Sequence, residues 1–462
     1  MTVAALSMGL GGGSAGASAQ VTGTTGMAAL TNAGALGDAA AAGTRTAAGN
    51  RTAAGNAATG GNADLGTEGG VGTPPRLGQV RPVMAYVANV GAGGDGTVTP
   101  IKTSAGSAGK PIAVGEDPSV IAVAPGGTTA YVLNQDSDTV TPIQTATSTA
   151  GPAIPVGQEP AAIAFTPDGR TAYVANAASG TVTPIHTATN TAGAPISVGS
   201  YPSAIAVTPN GRTAYVANSG SGTVTPITTA TGTAGAPIAV SGFPAGLAIT
   251  PDGKTVYVIG DGEFSGTVTP IATATDTAGT AIALSGYPSA IAITPNGKTA
   301  YVAGTGSASG TVTPITIATG TAGPAITVGT NPSAIAITPD GSTAYVLSSG
   351  VASCSGQVTP IKTATSTAEK AIQISAEPTA IAFTPDGKTA YVTDDYCDLT
   401  PGTVTPINTA TNKVGVPVPV GIFPRAIAIT PLAPLTPLTL LIPLTRTLPG
   451  ASALCENTPS AR

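Results

Sequence analysis

Tryptophan is absent from this 462-residue chain, histidine occurs once, and only 8% of the residues carry charge. Each shortage excludes something. One histidine and three cysteines cannot supply the His/Cys clusters of a zinc site. Three cysteines over such a length do not make a disulfide scaffold either. With 17 Lys and Arg against 22 Asp and Glu the net charge is −5. No basic stripe exists to neutralise phosphates, so nucleic acid is not expected as a partner. No stretch reaches the roughly 18 continuous apolar residues that a spanning helix needs.

What the chain has is glycine (62), proline (41) and an ordinary hydrophobic share of 42%, mostly small and β-branched side chains that can still bury a core. The two ends differ from the middle. Residues 1–80 form one such end, and from 20 to 80 they contain almost no large apolar side chain and include the tandem Arg45–Asn50 and Arg51–Asn56. Such a segment cannot offset its ordering entropy and reads as a low-complexity leader. Within residues 1–19, Ala17-Ser18-Ala19 ahead of Gln20 has the small-residue form of an export cleavage site. The first cation is only Arg45, whereas an export signal wants a positive start. A secreted or cell-surface location is expected, with the cytoplasm as the alternative. Residues 431–462 turn abruptly Leu/Pro-rich, and their closely spaced prolines forbid a helix. They read as a disordered tail.

Between the ends, residues 81–430 are periodic. A tyrosine recurs at Tyr86, Tyr131, Tyr173, Tyr215, Tyr257, Tyr301, Tyr345 and Tyr391. A period in the forties with four short β-like runs per unit is the signature of propeller blades. In one unit the runs are Ser203–Thr208 (strand A), Thr213–Asn218 (B), Gly222–Ile227 (C) and Ala236–Val240 (D). A Thr-Pro-Asp-Gly or Thr-Pro-Asn-Gly turn joins A to B, proline presetting one corner and glycine supplying the left-handed residue. The proline inside strand C (Pro142, Pro184 and equivalents) removes a ladder donor and predicts a bulge or strand end. The first B, Met84–Asn89, has no A before it, and the last A, Pro424–Thr430, has no B after it. Joining them completes a blade and leaves no open edge. The expected fold is therefore all-β, an eight-bladed propeller of four-stranded blades closed by the C-terminal strand; seven blades with frayed ends is the alternative.

The words themselves, "TAYVAN", "GTVTPI" and "TPDG" as they stand at Thr171–Asn176, Gly180–Ile185 and Thr166–Gly169, resemble the YVTN-type β-propeller repeat family over about residues 82–430. The resemblance implies a propeller and an extracytoplasmic tendency. It implies no agreed activity, because the matching motif is structural, and members of the family are often seven-bladed.

The repeats align themselves, so their differences locate the variable positions. All length variation falls in the B–C loops, and the D–A connections on the same face diverge most in side chains. This face carries Glu116, Asp117, Glu159, Tyr201, Phe243, Tyr287, Glu377 and Phe423 as candidate binding residues. Counting the B–C loops, it holds twelve acids and one base, Arg425, whereas the opposite face is net basic. Long, diverse loops on a rigid scaffold are where binding residues gather.

Catalytic chemistry is harder to place. His186 occupies a slot filled elsewhere by Lys102, Gln144, Thr228 or Ala272, a surface position on the opposite face. A propeller haem site would want an axial histidine, and a quinone site an aromatic platform, commonly Trp. No catalytic residue and no cofactor are therefore expected. Asp394, Asp395 and Asp398 are weak Ca²⁺ candidates that lack the alternate spacing of a calcium loop. Cys354 and Cys397, in the B–C loops of adjacent units, form a candidate disulfide. The expected function is a monomeric, non-enzymatic binding or scaffold module for a protein or a cell-envelope glycan. The alternatives are a metal-dependent lactonase-type hydrolase, needing Glu116, Asp117, Glu159 and Glu377 to converge, and a purely structural surface protein.

Overall fold

A computed structural model describes residues 82–262, 265–306, 309–349, 355–396 and 400–432. Eight antiparallel sheets surround a common axis, and among the described residues there is no helix. Each sheet is one blade, named below by its core tyrosine. In the Tyr131 blade, strand A is Pro118–Val123, B is Thr129–Asn134 and C is Thr139–Gln144. Strand D is not one strand but two short pieces, Thr149–Ala150 and Ile154–Pro155, both paired with C.

The proline of strand C explains that break. Pro142 stands opposite Tyr131 on the B side, while its carbonyl accepts from Gly151 N–H of D at 2.8 Å. Backbone N and C=O of one β residue point the same way, so the missing donor faces D. The outer strand loses its ladder there and splits. The same contact recurs from Gly193 to Pro184 and from Gly235 to Pro226, each at 2.7 Å. Short, interrupted outer strands offer no template for edge pairing.

Each A–B turn works as its residues require. In the Tyr173 blade, Gly169 N–H closes the turn on Thr166 C=O at 2.8 Å, and Gly169 sits at φ 68°. The ring closes on this same pattern without a covalent turn. Pro424–Ile429 pairs with Met84–Asn89 as an A–B pair. Thr430 N–H reaches Met84 C=O at 2.8 Å and Met84 N–H reaches Thr430 Oγ1 at 2.9 Å. Thr166 and Thr171 make the same two bonds at 2.9 and 3.1 Å. Eight blades closed by the C-terminal strand is thus the observed architecture.

The core is a set of clusters between blades. Tyr131, Leu133 and Val140 of one blade pack on Ile163, Phe165 and Val174 of the next, with Tyr131 and Phe165 ring centroids 5.5 Å apart. Tilted aromatic contacts of this kind add to plain burial. Each buried tyrosine also clasps the C–D turn of the following blade. Tyr131 Oη donates to Asn190 Oδ1 at 2.6 Å, and Tyr345 Oη to Asn412 Oδ1 at 2.7 Å. Tyr173 Oη reaches only a carbonyl, that of Thr229, at 3.2 Å. Burial pushes the Tyr131 and Tyr345 phenols up to about 12, so both stay protonated donors.

The candidate site at the channel mouth

The B–C loops and D–A connections meet at one end of the axis, where every strand A begins. Eight equivalent residues precede the first proline of strand A. In ring order they are Asp117, Glu159, Tyr201, Phe243, Tyr287, Asn331, Glu377 and Phe423. Seven of them are the sequence candidates. The eighth, Asn331, belongs to the same ring and was legible only as one more edited word. Glu116 lies one residue earlier and is exposed.

Two backbone forms occur in this ring. Asp117, Glu159, Tyr201, Asn331 and Phe423 are left-handed, with φ between 46° and 53°. Their carbonyls accept the N–H that follows strand B: Gln135 to Asp117 at 2.9 Å, Ala177 to Glu159 at 2.8 Å, Ser219 to Tyr201 at 2.9 Å. That conformation costs about 1 kcal/mol or more for a residue with a Cβ, and the hydrogen bond offsets it. Phe243, Tyr287 and Glu377 are instead drawn into their strands, opposite Asp261, Thr305 and Asp395. These three are strand residues, where the sequence placed them in connections.

Side-chain exposure divides the ring more sharply. Tyr201 is 59% exposed, Phe243 63% and Tyr287 45%, on three consecutive blades. Phe423 is half-buried. The loops behind the rim are pinned. Glu116 N–H donates to Ser137 Oγ at 2.8 Å, Ser200 N–H to Ser221 Oγ at 2.9 Å, and Glu159 N–H to Asp138 Oδ1 at 2.9 Å. Asp138 is therefore a loop brace rather than a free acid.

Just inside the rim each strand A carries a bulge, as where Pro118 pairs Asn134 and Val120 pairs Leu133. The bulged hydroxyls link blades: Ser203 Oγ donates to Pro244 C=O at 3.0 Å and Thr379 Oγ1 to Pro424 C=O at 2.7 Å. In the Tyr86 blade this position is Arg425, exposed, the only described base on this face. Asp117 lies in the next blade. Burial and the neighbouring Asp136 hold its carboxyl above the usual range, and Arg425 partly offsets them.

Asp394 requires a correction. The sequence placed it in a solvated loop as a weak Ca²⁺ ligand, but it lies in strand B, Thr389–Asp395, fully buried. Its Oδ2 accepts from the hydroxyls of Thr405 and, at 3.4 Å, Thr403, and its Oδ1 has no partner. Four other blades place asparagine here, and Asn134 Nδ2 donates to Thr139 and Thr141 at 3.0 and 2.9 Å. Burial pushes the Asp394 carboxyl up to about 7. Asp398, Cys354 and Cys397 lie outside the described residues.

The four carboxylates named for the hydrolase alternative do not all sit on neighbouring blades. Glu377 and Asp117 are separated by the Tyr86 blade with its Phe423, and Glu377 Oε1 accepts from Ser349 Oγ at 2.7 Å. Among the described residues no three His, Cys, Asp or Glu side chains gather into a metal-holding group. His186 ends strand C, Thr181–His186, exposed at the far end from the rim. Among the described residues no helix is long and apolar enough to cross a membrane.

One signal in the repeats went unread. Gly115, Gly157, Gly199 and Gly421 stand against Asn134, Asn176, Asn218 and Asn89, where a Cβ would meet the asparagine side chain at 2.7 to 2.8 Å. In the Tyr257 blade the pair inverts, and Ser241 stands against Gly260. The paired substitutions record a blade-to-blade contact.

No family model matches the chain, and no curated protein matches it; the YVTN-type resemblance rests on the repeat words alone. Solved structures do match. Kuenenia stuttgartiensis hydrazine synthase aligns with a TM-score of 0.54 and 25% identity, over 64% of this chain and 96% of that one. The dihydro-heme d1 dehydrogenase NirN in complex with DHE gives 0.64 and 17%, over 77% of each chain. A functionally unknown protein from Desulfotomaculum acetoxidans DSM 771 gives 0.52 and 17%, over 76% of this chain and 99% of that one. These likenesses support the propeller fold and assign no activity to it.

Proposed function

We propose that this protein is a non-enzymatic binding propeller whose channel mouth takes a protein or a cell-envelope glycan. One observation carries the reading: three exposed aromatics, Tyr201, Phe243 and Tyr287, hold the same ring position on consecutive blades. Large aromatic side chains held out from a rigid scaffold supply contact area at little entropic cost. Export to the cell surface suits such a role, and a Cys354–Cys397 bridge would fit that compartment. A carboxylate-metal hydrolase is less well supported, because Glu377 stands apart from Asp117 and Glu159.

A thermal-shift panel of envelope glycans and surface-protein fragments tests the proposal. A true ligand at a hundredfold excess over its Kd stabilises the propeller by about 2.7 kcal/mol. The shift should vanish in a Tyr201→Ala/Phe243→Ala variant whose own Tm is unchanged. Ligand-induced shifts that survive in that variant would overturn the assignment of the mouth.

A further inference from the structure

The ring has an electrical order as well as an apolar one. Its aromatic arc runs over Tyr201, Phe243 and Tyr287, and carboxylates flank it: Asp117 and Glu159 on one side, Glu377 beyond Asn331 on the other. Asp261 stands directly across the strand pair from Phe243, so an acid also lies within the arc. Arg425 is the only described base on the entire face. Burial raises the Asp261 and Asp117 carboxyls, and Asp136 adds to Asp117. These are groups whose ionised form an approaching cation would favour.

Resting on the binding role proposed above, we propose that the mouth docks a lysine- or arginine-bearing segment of a protein partner, its cations lying on the Tyr201–Phe243–Tyr287 arc and pairing with Asp117 and Glu159. Aromatic faces attract ammonium and guanidinium groups electrostatically, and a face this deficient in bases steers a basic chain toward it. A neutral sugar would use the aromatics but gain nothing from the flanking charge. The two ligand chemistries therefore separate by their response to salt and to carboxylate removal.

The full chain is titrated by fluorescence anisotropy with three labelled probes: a dodecapeptide alternating Lys and Gly, its Glu and Gly counterpart, and chitohexaose. The lysine peptide should bind, and its affinity should fall about tenfold between low salt and 0.15 M, as screening demands. Asp117→Asn/Glu159→Gln and Tyr201→Ala/Phe243→Ala should each weaken it severalfold. Lysine-peptide binding that ignores the aromatic substitutions is diffuse charge attraction and overturns the inference. Binding of chitohexaose or the acidic peptide alone, lost on aromatic substitution, overturns it while leaving the mouth a binding site. Lysine-peptide silence overturns it as well, and silence of all three probes together with the thermal-shift panel removes both readings.

Discussion

Asp394 replaces the asparagine of four sister blades, and a carboxyl is a poorer occupant of that buried slot. Its proton is held up to about 7 when folded, against 3.8 as the ordinary value. The folded state therefore binds the extra proton between those limits. The penalty is absent below about pH 4, grows as pH rises, and levels off above about pH 7 at no more than about 4 kcal/mol. Asp394→Asn restores an amide that can donate to Thr403 and Thr405, as Asn134 does to Thr139 and Thr141. Urea denaturation should show this variant more stable at pH 7 by about 1–4 kcal/mol, with a flatter profile from pH 4 to 7. A variant less stable than the parent at pH 7 would mean that the site prefers the carboxylate.

At the scale of the element, the A–B turn has the opposite pH behaviour. Asp168, Asp252, Asp340 and Asp386 are held below the usual range, first by the hydroxyl of the turn threonine and then by the N–H two residues on. Depressed carboxylates contribute stability above the unfolded value and lose it as pH falls through the folded one. Their exposed ion pairs with Arg170, Lys254 and Lys388, at 3.7, 3.3 and 3.7 Å, add little. Two turns already use asparagine, with Thr208 Oγ1 donating to Asn210 Oδ1 and Thr294 Oγ1 to Asn296 Oδ1, both at 2.8 Å. Converting all four aspartates to asparagine should keep the turns closed but lower the Tm at pH 7 slightly, by the charge-assisted part of these bonds. The same variant should resist the stability loss below about pH 4 that the parent suffers. Thermal scans across pH 2.5–7 read both effects, and an unaltered acid limb would place that loss elsewhere.

At the scale of the molecule, the ring is closed by hydrogen bonds where every other blade has a covalent turn. Thr430 and Met84 occupy the places of Thr250 and Thr255, which make the equivalent bonds at 2.9 and 3.1 Å. Joining Thr430 to Met84 through Pro-Asp-Gly-Lys, and opening the chain in another A–B turn, should preserve the propeller. Its Tm and circular dichroism should match those of the parent. A permutant that fails to fold would show that this seam is not equivalent to the others. The same scale explains the binding face: the rim residues are far apart in sequence and become one ring only when all eight blades are in place.

The sequence by itself determined the blades, the turns and the closure. Strand alternation, Pro and Gly at turn corners and an unpartnered strand at each end are local signals repeated many times, and repetition removed the noise from each. It also marked the rim, because edits among aligned copies show where side chains are free to differ. Tertiary structure alone decided the rest. The splitting of strand D depends on which side Pro142 turns its missing donor. The clasp of Tyr131 on Asn190 spans 59 residues. Asp394 reads as one acid among the others of "DDYCDL", and only its place on strand B, with Oδ2 on the Thr405 and Thr403 hydroxyls, makes it a buried one. These features depend on which way a strand residue turns its donor or side chain and on what packs against it, and the spacing of residue types along the chain does not state either.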